Sequence, residues 1–67
     1  MNIKEIVFDR TNEKLITEVL KVSHTQNVSR KQAYSIVVGA CREFDNGYEP
    51  YKNYESFRVA KFYKENK

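Results

Sequence analysis

The chain reads as a mainly α protein, a small three-helix domain with a short strand-like segment at its N-terminus. Three observations predict this. The longest run whose middle carries no charge, Ser29 to Phe44, repeats its apolar residues at helical spacing. A segment on either side of it, 13–24 and 54–65, shows the same kind of periodicity behind capping residues. The length of 67 residues leaves room for one core, so residues 1–67 are expected to form one helical domain.

The first element, Ile3 to Phe8, has short strand character with imperfect alternation. A lone strand is not stable, so it must pair with something or lie extended over the core. Asp9, Thr11 and Asn12 are candidate N-caps for a first helix running to about His24. Leu15, Ile16, Val19, Leu20 and Ser23 form one face of it, with Glu13, Lys14, Glu18 and Lys21 opposite. Lys14 with Glu18, and Glu18 with Lys21, are spaced to pair across a turn. Thr25 to Val28 breaks the helix, because Asn27 tolerates left-handed geometry.

The central helix follows. Ala33, Val37 and Cys41 recur every fourth residue, Tyr34 and Val38 sit one position over, and Phe44 extends the face. Ile36 and Ala40 widen the stripe, so packing is expected on more than one side. Ser29 with Gln32 fits a capping box, and Asp45-Asn46-Gly47 supplies a stop with Gly47 suited to a left-handed C-cap. A buried strand through Tyr34 to Val38 is the rival reading, since Ile36, Val37 and Val38 are β-branched. Residues 47–53 are a loop containing the only proline. Asn53 then caps a third helix from Tyr54 to about Glu65, in which Phe57, Ala60 and Tyr63, flanked by Val59, close the core.

A chain this short has a thin stability margin, and disulfides or a metal are the usual supplements. Cys41 is the only cysteine and His24 the only histidine, so neither supplement is expected and no cofactor or metal is implied. A second copy or a larger protein partner is the remaining supplement. No segment has membrane-spanning length and the N-terminus lacks a signal-peptide layout, which makes the cytoplasm the expected location. Catalysis finds no support, with no second histidine or cysteine, no glycine-rich phosphate loop and no serine beside a base. His24 reads as a helix C-terminal group and Cys41 as core; neither an enzyme nor a small-molecule substrate is expected.

The net charge of +3 is unevenly spread. Lys4, Arg10, Lys14 and Lys21 are cancelled by Glu5, Asp9, Glu13 and Glu18, so all the excess lies beyond Ser29. A positive C-terminal half fits a polyanion, or ordinary solvation. Within it, Arg30 and Lys31 open the central helix, where cations oppose the helix dipole by about 0.3–1 kcal/mol each. A ligand's negative charge is one reason for bases at that place; solvent contact alone is the other.

The segment Val22 to Ile36 resembles the helix-turn-helix of bacterial and phage DNA-binding proteins. The resemblance rests on Ser23, Asn27, Val28, Ala33 and Ile36, with Ser29-Arg30-Lys31-Gln32 where such families begin the recognition helix. It covers less than a quarter of the chain, and Gln26 stands where an apolar residue is usual. It implies a double-stranded DNA partner, with Arg30, Lys31, Gln32 and Ser35 facing the major groove. An extended N-terminal segment followed by two helices also resembles a ribbon-helix-helix repressor, in which two chains pair their strands.

The C-terminal third spaces Tyr48, Tyr51, Tyr54 and Phe57 by three and continues with Arg58, Lys61, Lys64 and Lys67 at the same interval. Rings beside cations suit nucleic acid, with Arg58, Lys61 and Lys64 on phosphates. Tyr48, Tyr51, Tyr54 and Phe62 suit a protein interface equally, and tyrosines lying over a small core give the same letters. The expected function is a small DNA-binding protein, a transcriptional regulator of phage or mobile-element type acting by occupancy of duplex DNA. The alternative is a protein-interaction module or small inhibitor that docks an aromatic surface on a larger partner.

Overall fold

The computed structural model describes the backbone of residues 1–65 and the side chains of residues 1–60. Four helices run in order, α1 (Ile3–Val7), α2 (Glu13–Thr25), α3 (Arg30–Phe44) and α4 (Tyr54–Glu65). No strand occurs among the described residues, which corrects the strand-like reading of Ile3 to Phe8 and adds a fourth helix. The Asn2 side chain accepts the Glu5 N–H at 3.3 Å, starting a single helical turn. Ile3, Ile6 and Val7 are spaced for one helical face, and Ile6 is buried while Ile3 and Val7 pack at its edge. An unpaired strand here would leave its backbone groups unsatisfied, so local hydrogen bonding overrides the β preference of the side chains.

The three expected caps of α2 divide the work. Asp9 accepts the Lys14 N–H at 2.8 Å and the Thr11 N–H and hydroxyl at 3.0 and 2.7 Å. Thr11 accepts the Glu13 N–H at 3.3 Å, whereas Asn12, at φ 60°, contributes left-handed backbone and no side-chain cap. Donation from the Lys14 amide and the Thr11 hydroxyl lowers the Asp9 pKa below its ordinary value. Lys14 reaches back to Glu5 at 3.6 Å, and the expected pairs of Glu18 with Lys14 and Lys21 do not form. Leu15, Ile16, Val19 and Val22 are buried, with Leu20 and Ser23 at the margin.

α3 contributes Ala33, Tyr34, Val37, Val38 and Cys41 to the core and excludes the strand alternative. Its apolar coverage is narrower than expected: Phe44 is 54% exposed and Ile36 40%. Ile36 precedes Val37 by one residue and so lies about 100° around the cylinder from the buried centre. Gly47 does not take the left-handed conformation. Asp45 ends the helix in extended backbone, donating its N–H to Cys41 at 2.8 Å and accepting the Gly47 N–H on its side chain at 3.1 Å. Asn53 caps α4 as expected, accepting the Ser56 N–H at 3.0 Å. Phe57 is fully buried, but Val59 is 47% exposed and does not close the core.

Candidate nucleic-acid interface

The α2–α3 turn is closed from both directions. Asn27 adopts φ 53°, the Val28 N–H donates to the Ser23 carbonyl at 3.2 Å, and the Ser23 hydroxyl donates to the Val28 carbonyl at 2.7 Å. These bonds leave the chain one residue from its next cap. Ser29 accepts the Gln32 N–H at 3.1 Å, and Gln32 accepts the Ser29 N–H at 3.4 Å, completing the capping box. The first turn of α3 is thereby fixed with Arg30, Lys31, Gln32 and Ser35 all exposed. The amides of Arg30 and Lys31 have no intrahelical acceptor at that position.

Neither Arg30 nor Lys31 forms an ion pair among the described residues. Lys21 and His24, in the last turns of α2, are exposed as well and precede the α2–α3 turn in sequence. Lys21 escaped the sequence reading because it was counted against the acids of residues 1–28. A signal for it lies in the sequence all the same: no acid occurs between Glu18 and Glu43, and the fold puts the middle of that run at one end of the α2–α3 pair. A hollow of about 390 Å³ lined by Val28, Lys31, Gln32, Ser35 and Ile36 lies against it. Ile36, which the helix-turn-helix pattern expects inside, thus faces outward. Gln32 holds its oxygen in the cap, so its free group is the amide N–H₂ donor, and reading adenine with both ends requires that bond to open.

No family, curated protein or solved structure matches this chain.

The second expected surface is brought together differently. Tyr34 and Phe57 stack at 4.8 Å between ring centroids, with Tyr51 and Tyr54 against Phe57 at 5.6 and 5.9 Å. Tyr48 is buried, so it cannot anchor a partner, and Tyr51 and Tyr54 are half-buried. The row spaced by three lines the core, with Tyr54 and Phe57 of α4 lying against Tyr34. The Tyr48 hydroxyl is buried without a hydrogen-bond partner among the described residues, and burial pushes its pKa well above the ordinary value. Burial likewise raises the pKa of Cys41, which is fully enclosed and unsuited to act as a thiolate.

Arg58, expected at a phosphate, donates to Glu55 at 3.2 and 2.8 Å in an exposed pair that offsets its charge locally. Lys61, Phe62 and Lys64, and Tyr63 expected in the core, lie outside the described side chains. Arg42 donates to the Tyr48 carbonyl at 3.0 Å and so tethers the loop to α3. With helix at Ile3–Val7, the ribbon required by the ribbon-helix-helix resemblance is missing. No membrane-spanning helix and no metal-binding cluster of His, Cys, Asp and Glu occurs among the described residues.

Proposed function

We propose that the domain binds duplex DNA through the α2–α3 turn and acts by occupancy, as a small regulator of transcription, not as a catalyst. The observation that carries this reading is the set of exposed cations Lys21, Arg30 and Lys31, in no ion pair among the described residues, on a stretch without acids. Two of them sit at a helix start, where each opposes the dipole by about 0.3–1 kcal/mol, a cost that a phosphate or base edge offsets. The locked turn and capping box hold them in place before binding, which limits the ordering cost of association. Arg30 and Lys31 suit guanine edges or phosphates, Lys21 a phosphate, and Ser35 either.

A mobility-shift titration tests this. Three phosphate contacts release enough counterion to weaken binding about 40-fold between roughly 50 and 200 mM salt. Arg30→Ala and Lys31→Ala should each weaken binding and flatten the salt dependence by about one contact. Absence of any shift with duplexes at low salt overturns the proposal, as does unchanged affinity in both variants.

A further inference from the structure

The loop that follows α3 holds a reactive peptide bond. Asn46-Gly47 is the one asparagine–glycine step in the chain; the other five asparagines precede Ile3, Glu13, Val28, Tyr54 and Lys67. The backbone nitrogen after an asparagine is able to close on that asparagine's side-chain carbonyl, and glycine, with no Cβ, leaves the approach open. Asn46 and Gly47 are both exposed, and a hollow of about 260 Å³ lined by Arg42, Asn46, Gly47, Tyr48 and Glu49 admits water to them.

The local geometry is set against that reaction. The Tyr48 N–H donates to the Asp45 carbonyl at 2.9 Å, and neither Asn46 nor Gly47 has a positive φ, so residues 45–48 form a type I turn. Within it the Gly47 N–H donates to the Asp45 carboxylate at 3.1 Å. Ring closure needs the same direction, because in the cyclic imide the new bond from the Gly47 nitrogen to the Asn46 Cγ takes the place of the N–H. A nitrogen whose hydrogen points at Asp45 does not face Asn46. The turn is also anchored at its far end, where Tyr48 is buried and its carbonyl accepts the Arg42 Nε–H at 3.0 Å. Closure must therefore break the bonds to Asp45 and rotate the Asn46 backbone against that anchor.

We infer that Asn46-Gly47 is a latent site of self-modification, held shut by Asp45 and the buried Tyr48, which reacts when the loop lifts. The chemistry needs only water. The Gly47 nitrogen gives its proton to hydroxide and bonds to the Asn46 Cγ; the Cγ–Nδ2 bond breaks, and the nitrogen leaves as ammonia with a proton taken back from water. Water then opens the imide at either carbonyl, giving aspartate or isoaspartate. Each product places a new negative charge between Asp45 and Glu49. Isoaspartate also adds a carbon to the backbone that delivers Tyr48 to the core. The conversion is one-way, so it records loop opening and leaves the aromatic arm less firmly tied to α3.

Mass spectrometry of the full chain, incubated at neutral pH with and without guanidinium chloride, reads the amide-to-acid mass gain at each asparagine after fragmentation. In denaturant Asn46 should convert faster than any other asparagine and yield isoaspartate, and Gly47→Ala should suppress the conversion. In the folded chain the two hydrogen bonds to Asp45 should slow it about 30-fold, and Asp45→Ala, with helical circular dichroism unchanged, should restore about fivefold of that rate. An Asn46 that converts no faster than the other asparagines in denaturant overturns the inference. So does a folded chain that converts as fast as the denatured one, or a folded Asp45→Ala variant that converts no faster than the wild type.

Discussion

The α2–α3 turn and the segment from Tyr48 to Phe57 are both built from residues that partners favour, cations in one and tyrosines in the other. Solvent reaches them very differently. At the turn, side-chain and backbone hydrogen bonds are spent on closing the chain, through Ser23, Asn27, Ser29 and Gln32, and the cations are left outside. In the aromatic segment the rings themselves close the structure, with Phe57 fully buried against Tyr34, Tyr51 and Tyr54. Residue type states what a side chain is able to bind; what the core needs decides which of those side chains remain available.

The largest effect that separates the two regions is on stability. Phe57→Ala removes a fully enclosed ring and should cost about 3–5 kcal/mol, much of the total for a domain of this size. Arg30→Ala should leave stability unchanged or raise it by about 0.3–1 kcal/mol, since it relieves an unfavourable charge at the start of α3. Urea denaturation followed by circular dichroism reads both. Equal losses in the two variants would break the division between a structural arm and an available turn.

That division was only partly legible in the residues. The α3 helix, its capping box, the left-handed Asn27 and the Asn53 cap could all be read because each depends on neighbours within four positions. The N-terminal element was misread because five residues are too few for period to separate helix from strand, and Ile3, Ile6 and Val7 satisfy a helical face as readily as an extended one. Phe44 and Ile36 were placed inside because hydropathy marks which residues prefer burial, whereas coverage depends on where α1 and α4 come to rest. The inward turn of Tyr48 was equally hidden, since spacing by three suits an outer face and an inner face alike. At the turn Arg30 and Lys31 are visible in the sequence, whereas the place of Lys21 depends on how α2 packs against α3.

A smaller effect concerns a flaw within the aromatic arm. The Tyr48 hydroxyl is buried without a partner among the described residues, and a group in that state costs about 1–3 kcal/mol. Tyr48→Phe should therefore stabilise the fold by about 1 kcal/mol, where most core substitutions destabilise. The same burial raises the Tyr48 pKa above the ordinary 10.0, chiefly through desolvation. For a group with a raised folded pKa, the neutral form stabilises the fold below the unfolded value, and that contribution is lost as pH rises through the folded one. Wild-type stability should thus decline above about pH 10, and part of that decline should vanish in Tyr48→Phe. Denaturation at neutral and alkaline pH tests both; a destabilised phenylalanine variant would mean that the hydroxyl has a partner, such as a bound water.

The smallest effect measures how far the available region extends along α3. Gly39 lies in the helix interior on the exposed side, and a methyl group added there meets nothing within 4 Å. Its φ is not positive, so alanine fits its backbone. A glycine in such a place costs about 0.5–1 kcal/mol relative to alanine, and Gly39→Ala should recover that amount, raising the melting temperature by several degrees. Nothing in the packing of the isolated chain calls for a glycine there. If the duplex contact ends at Ser35, one turn before Gly39 and about 6 Å away along the axis, affinity should be unchanged while stability rises. That is the expected outcome, since the exposed cations nearest the helix start are Lys21, Arg30 and Lys31 and none stands beside Gly39. A stabilised variant with weakened DNA binding would instead extend the interface to the middle of the helix, with the bare Gly39 backbone closely approached by the duplex.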